Sequence, residues 1–525
     1  MRPLRGRCTA DDPMRPHAVK PATASLATLL DRAERLWPER TAVTDGVERL
    51  DYRQLAGLVR GLSSDLHRRG VRQGHRVAAL CENHHWFLAL HFAVARLGAI
   101  LVPFNTRLTA AEHRTVLERA DAALLCADRA FERTVSELQR EPTGLQVRWS
   151  EDASPPADEA PQAEQVLATD PAQLYFTSGT TGRPKGVMLT HGNVFTHALM
   201  AIAELRLHET DVWAHVAPMF HLADAWATFA ITAVGGTHTF LPRFEAGATL
   251  DLFEQSRVTV TNLVPTMLNR VVNEPGAAER DTSSLRLLMS GGAPIAPETV
   301  RRVVDTFDCE YVQTYGMTET SPYLTFSLLA EAQRQLPGQE QLAARARTGR
   351  PVLGVELRVV DESLHPVPAD DTSVGEIQVR GPTITPGYWN DPEATAAAFT
   401  KDGFLHTGDL ATIDATGSVR IVDRAKDVIL SGGETVYSTE VEYRLQEHAA
   451  VLEVAVYAEP DHDLGERVTA AVVLRPGARA TSEELIAFCR AQLAGFKTPK
   501  AVRFLDALPR TGSGKIQKRA LRGGD

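Results

Sequence analysis

The chain is poor in cysteine: five among 525 residues, at positions 8, 81, 126, 309 and 489, with no CxxC pair. So scattered an odd set argues against a disulfide framework or a cysteine-based zinc site, and it is the usage expected in a reducing cytoplasm. No stretch reaches about 18 uninterrupted apolar residues, the length a membrane-spanning helix needs. The best candidate, 87–104, is interrupted by His91 and Arg96. Residues 1–20 are Arg-rich without an apolar stretch, so they read as a disordered arm and not as a secretory signal. No basic run occurs and the net charge is −10, which argues against general nucleic-acid binding.

Lysine is scarce as well. Arginine outnumbers it 48 to 8. Either the few that remain are accidents of local composition, or some of their sites need a compact, mobile ammonium in preference to a planar fork. Six of the eight, Lys185, Lys426, Lys497, Lys500, Lys515 and Lys518, fall in or beside the motifs below.

What remains is globular in character, 43% hydrophobic and 23% charged. The length predicts two to four domains or subdomains. Val77–Leu80, Ala99–Val102 and Ala122–Cys126 read as short buried strands. Helical spacing over Trp86–Arg96 and Thr109–Ala120 separates them, which is the pattern of a parallel sheet covered by helices. Residues 141–170, rich in Pro, Ala and acid, read as an exposed loop or linker. From Val352 to Gly387 short β-rich runs predict a small β subdomain. After Arg424 an α+β tail is expected, with strands at Val451–Tyr457 and Val468–Leu474. A capping box at Thr481–Glu484 opens a helix there that runs to about Leu493.

The most informative segment is Thr177-Ser-Gly-Thr-Thr-Gly-Arg-Pro-Lys-Gly186, after the apolar Leu174-Tyr-Phe176. Gly179 and Gly182 let a backbone approach a phosphate closely. Thr177, Ser178, Thr180 and Thr181 supply hydroxyl donors, and Lys185 adds charge. A Walker A loop is excluded because Pro184, not glycine, precedes the lysine. Five further motifs follow in order, the last near the C-terminus. They are Ser290-Gly-Gly-Ala-Pro-Ile295, Gln313-Thr-Tyr-Gly-Met-Thr-Glu319, Leu405-His-Thr-Gly-Asp409 with Asp423-Arg-Ala-Lys-Asp-Val428, and Ser431-Gly-Gly-Glu-Thr-Val-Tyr-Ser-Thr-Glu440. Pro509-Arg-Thr-Gly-Ser-Gly-Lys-Ile516 comes last.

Together these motifs resemble the adenylate-forming superfamily of acyl-CoA synthetases, adenylation domains and luciferases, over about residues 25–520. The resemblance implies an α/β fold. A large N-terminal domain (21–424) of parallel-sheet subdomains and a small β-barrel-like subdomain would be followed by a mobile α+β C-terminal domain (427–525), hinged at Lys426. It implies that ATP, Mg²⁺ and coenzyme A are used to activate a carboxylic acid through acyl-AMP. Gly292, Ala293 and Pro294 would lie against adenine, with Thr314, Tyr315 and Gly316 beside them and Tyr315 stacking on the base. Thr318 would contact phosphate, and Glu319 with Thr177 would hold Mg²⁺. Asp409 would accept from the ribose hydroxyls, a task suited to a carboxylate's two oxygens, and Arg424 would also contact the nucleotide. Gly432 and Gly433 would line the pantetheine channel. Here Thr435 departs from the usual Asn, and Ser438-Thr439 from a Pro-containing pair. Lys515 would be the mobile catalytic lysine.

Ala217-Pro-Met-Phe-His221 matches a segment lining the acyl pocket, with His221 beside the substrate carboxylate. Amino-acid-activating relatives commonly carry Asp where His221 stands, and Asp224 comes three residues later, so an amino acid is not the expected substrate. Trp226 lies within one position of an aromatic gate of some fatty-acid relatives, though a tryptophan at such spacing is more often core. A fatty acid is the leading expectation, an aryl or arylpropenoic acid the second. The acceptor is coenzyme A, with an acyl carrier protein as the alternative, in a cytoplasmic monomer or homodimer.

Overall fold

The computed structural model describes residues 25–140, 144–153, 161, 163–178, 184–293, 295, 297–510 and 516–522. The strand–helix alternation near the N-terminus is present as Arg76–Leu80, His85–Arg96, Ile100–Pro103, Ala110–Ala120 and Leu124–Ala127. Thr109 caps the second helix in a reciprocal box with Glu112, which satisfies two otherwise orphaned amides. Helix His85–Arg96 is buried without a break from Trp86 to Ala95. Its apolar run therefore reflects a core helix, buried all round.

These strands form one parallel sheet, extended by the antiparallel hairpin Pro171–Ser178/Pro184–Thr190. On its other edge lies a strand that composition concealed. Gln146–Trp149, inside the stretch expected to be loop or linker, pairs in parallel with Leu124–Ala127. Its Arg148 side chain is fully buried and ion-pairs with Asp65 at 3.0 Å. The Pro- and acid-rich flanks masked a strand only four residues long.

A nine-stranded sheet follows the spatial order Arg350–Pro351, Tyr323–Phe326, Glu310–Gly316, Leu287–Ser290, Val260–Asn262, Val212–His215, Thr237–Phe240, Thr41–Asp45 and Glu48–Asp51. From Glu310–Gly316 to Thr41–Asp45 neighbouring strands are parallel. Strands covered on both faces read as continuous apolar runs. A single core containing Phe87, Phe92, Trp213, Trp226 and Phe229 joins the helices packed between the two sheets. In such sheets ligands gather outside the carboxyl ends of the strands. The turns after Ser290 and Gly316, which hold two of the motifs, lie there.

The expected β subdomain is a four-stranded antiparallel sheet that continues past the expected limit at Gly387: Glu356–Val360, Gly375–Arg380, Leu405–Ile413 and Val419–Arg424. Beyond it, hairpin Val451–Asp461/Gly465–Leu474 packs with helices Ser438–Gln446 and Ser482–Arg490 around a separate core of Val441, Leu445, Val456 and Leu485. The helix opened by Thr481 stops at Arg490, short of Leu493. Cys81, Cys126, Cys309 and Cys489 are free and buried. No described helix is long and apolar enough to cross a membrane.

Candidate active site

The phosphate-loop motif straddles the Pro171–Ser178/Pro184–Thr190 hairpin, whose register sets Thr177 opposite Lys185. Gly179, Thr180, Thr181, Gly182 and the Ser178 side chain lie outside the described residues, as does Pro294 of the next motif. Two neighbouring parallel strands end close by. The Thr314 hydroxyl donates to the Ser290 carbonyl at 3.1 Å, and Gln313 Nε2 to the Ala293 carbonyl at 3.1 Å. Gly292 turns the chain there with φ +84°.

Tyr315 and Asp409 meet across this corner. The Tyr315 hydroxyl donates to Asp409 Oδ2 at 2.7 Å, and Arg424 Nε lies 3.1 Å from Asp409 Oδ1. Burial, then the nearby Asp409 charge, push the phenol's pKa up, so it stays a donor. Asp409 and Arg424 are register partners on adjacent antiparallel strands. The carboxylate expected at the ribose is thus fixed from both the large sheet and the β subdomain.

Past Gly316, residues Thr318–Thr320 form one 3₁₀ turn. Glu319 is 7% exposed, and its Oε1 accepts from the Tyr388 hydroxyl at 3.0 Å. Lys185 Nζ sits 5.0 Å from the centroid of the same ring. The strand bearing Lys185 packs on the turn bearing Glu319. The hard oxygens of Glu319 and Thr177 suit a cation that keeps several waters and shares phosphate oxygens, as Mg²⁺ does. Tyr388 is not among the residues singled out by sequence motif. Its run, Thr385-Pro-Gly-Tyr-Trp-Asn390, reads from sequence only as a turn, and an aromatic set directly after Pro-Gly is the one signal available.

His221 precedes helix Leu222–Val234, its ring against Phe220 with centroids 5.0 Å apart. Asp224 is fully buried and bonds His215 Nδ1 and, at 3.3 Å, Trp213 Nε1. His215 continues to His238 Nδ1 at 3.0 Å, and His238 to the Thr232 hydroxyl at 3.0 Å. This carboxylate is engaged by the fold, in line with its not serving a substrate ammonium. Asp224→Ala is expected to cost about 3–5 kcal/mol, the usual result of breaking a buried pair. Calorimetry should show a marked fall in Tm, with no change in which acids are accepted. Trp226 is core: 1% exposed, it donates to the Tyr323 hydroxyl at 3.0 Å and the Ala223 carbonyl at 3.1 Å. Trp213 crosses it edge-on at 5.0 Å.

Gly432 and Gly433 form the turn of hairpin Ile429–Ser431/Glu434–Val436, with φ of +62° and +84°. Lys426 lies in the 3₁₀ turn Ala425–Asp427. The departure at Ser438 has a structural use. Its N–H and hydroxyl donate to Asp423 Oδ2 at 2.5 and 2.8 Å, and Lys518 Nζ donates to Ser438 Oγ at 2.6 Å. A proline there would have no N–H to give. Lys515 lies outside the described residues. The structure therefore gathers Thr177, Lys185, Thr314, Tyr315, Glu319, Asp409 and Arg424 around one corner. Gly432 and Gly433 stand on a separate hairpin.

Comparison with known proteins identifies the family. Residues 30–389 match the model of the AMP-binding enzyme family, and residues 440–515 that of the AMP-binding enzyme C-terminal domain. The chain is 38% identical to a feruloyl-CoA synthase of Amycolatopsis over 94% of its length and 97% of that protein's. It is 36% identical to a long-chain-fatty-acid–CoA ligase of Thermus thermophilus, over 97% and 96%. Its structure is similar to ATP-bound MatB from Rhodopseudomonas palustris, with a TM-score of 0.84 at 32% identity over 94% and 98% of the two chains. The chain belongs to the AMP-binding enzyme family, in its acyl-CoA synthetase branch, and is an AMP-forming acid–CoA ligase using ATP and coenzyme A.

Proposed function

We propose that the acid activated is an aryl-substituted one, of the arylpropenoic kind. The observation that carries this reading is the fixed state of Trp226, held by two hydrogen bonds and an edge-on Trp213. If a long alkyl chain enters by displacing such an aromatic, a locked Trp226 disfavours it, whereas a flat ring makes no such demand. The feruloyl-CoA synthase relative supports the same class. A fatty acid is the second reading, favoured by the Thermus thermophilus relative.

In the first half-reaction the substrate carboxylate attacks the α-phosphorus of ATP in line, and pyrophosphate leaves. The barrier is largely repulsion between anions, so positioned cations and donors lower it. Lys185 and the Thr177 hairpin would hold the departing phosphates, and His221 would orient the carboxylate. Asp409, braced by Tyr315 and Arg424, would fix the ribose. Mg²⁺ held by Glu319 and the Thr177 hydroxyl would supply charge neutralisation on the phosphates. In the second half-reaction the part beyond Lys426 turns, replacing Lys515 with the Gly432-Gly433 hairpin, and the coenzyme A thiol attacks the acyl carbon as AMP leaves.

Pyrophosphate release measured across arylpropenoic, arylacetic and straight-chain fatty acids tests the substrate class. Pocket fit is expected to favour an arylpropenoic acid in kcat/KM by roughly 10–200-fold. A higher kcat/KM for a long-chain fatty acid would overturn the reading. Asp409→Ala should raise KM for ATP about tenfold or more, the worth of a charged hydrogen bond, whichever acid is supplied.

A further inference from the structure

The segment Thr385–Trp389 is stitched to two parts of the site at once. Towards the lysine strand, Trp389 N–H donates to the Gly186 carbonyl at 2.7 Å, Met188 N–H to the Gly387 carbonyl at 3.1 Å, and the Thr385 hydroxyl to the Met188 carbonyl at 2.5 Å. Towards the glutamate turn, Thr385 N–H donates to the Glu319 carbonyl at 2.8 Å. Gly387 makes this path possible: its φ is +143°, and a Cβ there would come within 2.4 Å of Thr395 Cγ2. From this anchorage one side chain reaches both charged groups. Its hydroxyl lies 3.0 Å from Glu319 Oε1, and its ring face lies under Lys185 Nζ at 5.0 Å.

We propose that Tyr388 is a positioning residue that sets the placement of Glu319 and Lys185 relative to each other, so that the carboxylate meets the cation and the ammonium meets the phosphates. An adjacent carboxylate and ammonium would otherwise tend to pair and neutralise one another. The phenol gives each a separate partner: an O–H donor for the carboxylate and a π face for the ammonium. An un-ionised tyrosine hydroxyl carries the proton that this hydrogen bond requires. This inference rests on reading Glu319 as the Mg²⁺ ligand and Lys185 as a phosphate contact.

The test separates the two halves of the ring. Calorimetric titration of ATP into the full chain, with Mg²⁺ and with EDTA, is run on wild type, Tyr388→Phe, Tyr388→Leu and Glu319→Gln, each checked for an unchanged melting profile. Tyr388→Phe keeps the face and loses the hydroxyl. It should leave metal-free ATP affinity alone and reduce the Mg²⁺-linked gain in affinity about tenfold, the worth of a hydrogen bond to a charged group. Tyr388→Leu loses both and should also weaken metal-free binding, by roughly 3-fold or more. Should Tyr388→Leu fail to fold, Tyr388→Phe decides alone. Tyr388→Phe with a wild-type Mg²⁺ gain, while Glu319→Gln loses it, would overturn the proposal and leave the site reading intact. Glu319→Gln with a wild-type gain would overturn the site reading and this proposal with it.

Discussion

Lys515→Ala is expected to stop acyl-AMP formation while largely sparing thioester formation from supplied acyl-AMP. The reason is where charge develops. In the first step negative charge builds on the α-phosphate as two anions are brought together, and a single ammonium placed there would offset it. In the second step a neutral thioester forms from an anhydride already made, and the lysine has no charge to meet. Loss of one preorganised electrostatic group typically costs about 10²–10³ in kcat, and the adenylation step should fall by at least that much. Lys515→Arg should be nearly as poor, because a planar fork on a stiffer head does not replace a compact ammonium. Assays of the two half-reactions, ATP–pyrophosphate exchange and CoA transfer from synthetic acyl-AMP, give the answer. Equal loss of both would contradict the assignment.

Gly433→Trp is expected to do the reverse, keeping adenylation and losing transfer to coenzyme A by about 10²-fold, the scale of a misplaced or blocked reactant. A control is required because Gly433 has φ +84°. Any side chain there carries a backbone cost of about 1–2 kcal/mol. No atom lies within 4 Å of a Cβ built at this position, so Gly433→Ala incurs that cost without adding bulk. If the hairpin lines the thiol channel, Trp blocks transfer and Ala does not. Equal effects of Ala and Trp would trace the loss to backbone strain, and unimpaired transfer in Gly433→Trp would remove the hairpin from the channel.

Of the candidate site, the Gly/Thr-rich hairpin is legible from its residue types alone. Gln313–Glu319, Asp409 and Arg424 are legible only through the order of the motifs and the family resemblance, since an isolated Thr-Gly-Asp or Arg-Ala-Lys-Asp suggests a turn or a charge cluster. The parallel sheet is legible because its buried strands alternate with helical spacing, and in the C-terminal part the capping box at Thr481 marks the start of its helix. What escaped depends on pairing between distant segments. Strand Gln146–Trp149 exists because Leu124–Ala127 offers an edge and Asp65 a partner for Arg148, and neither is visible in a Pro- and acid-rich stretch. Tyr388 escaped because its role is set by Gly186 and Glu319, about 200 and 70 residues away in sequence. Trp226 is open to two readings in the sequence, and Asp224 is placed there only as lying three residues from the position that pairs a substrate ammonium. Burial decides both, since Trp213 and His215 enclose them.

The most direct measurement is mass-spectrometric detection of acyl-AMP and acyl-CoA, with ATP, Mg²⁺ and a mixed panel of aryl and fatty acids, in the presence and absence of coenzyme A. Acyl-AMP alone is expected when coenzyme A is withheld, and its replacement by acyl-CoA, with AMP, when coenzyme A is added. Acyl-AMP that persists unchanged in the presence of coenzyme A would contradict coenzyme A as the acceptor and point to a carrier protein.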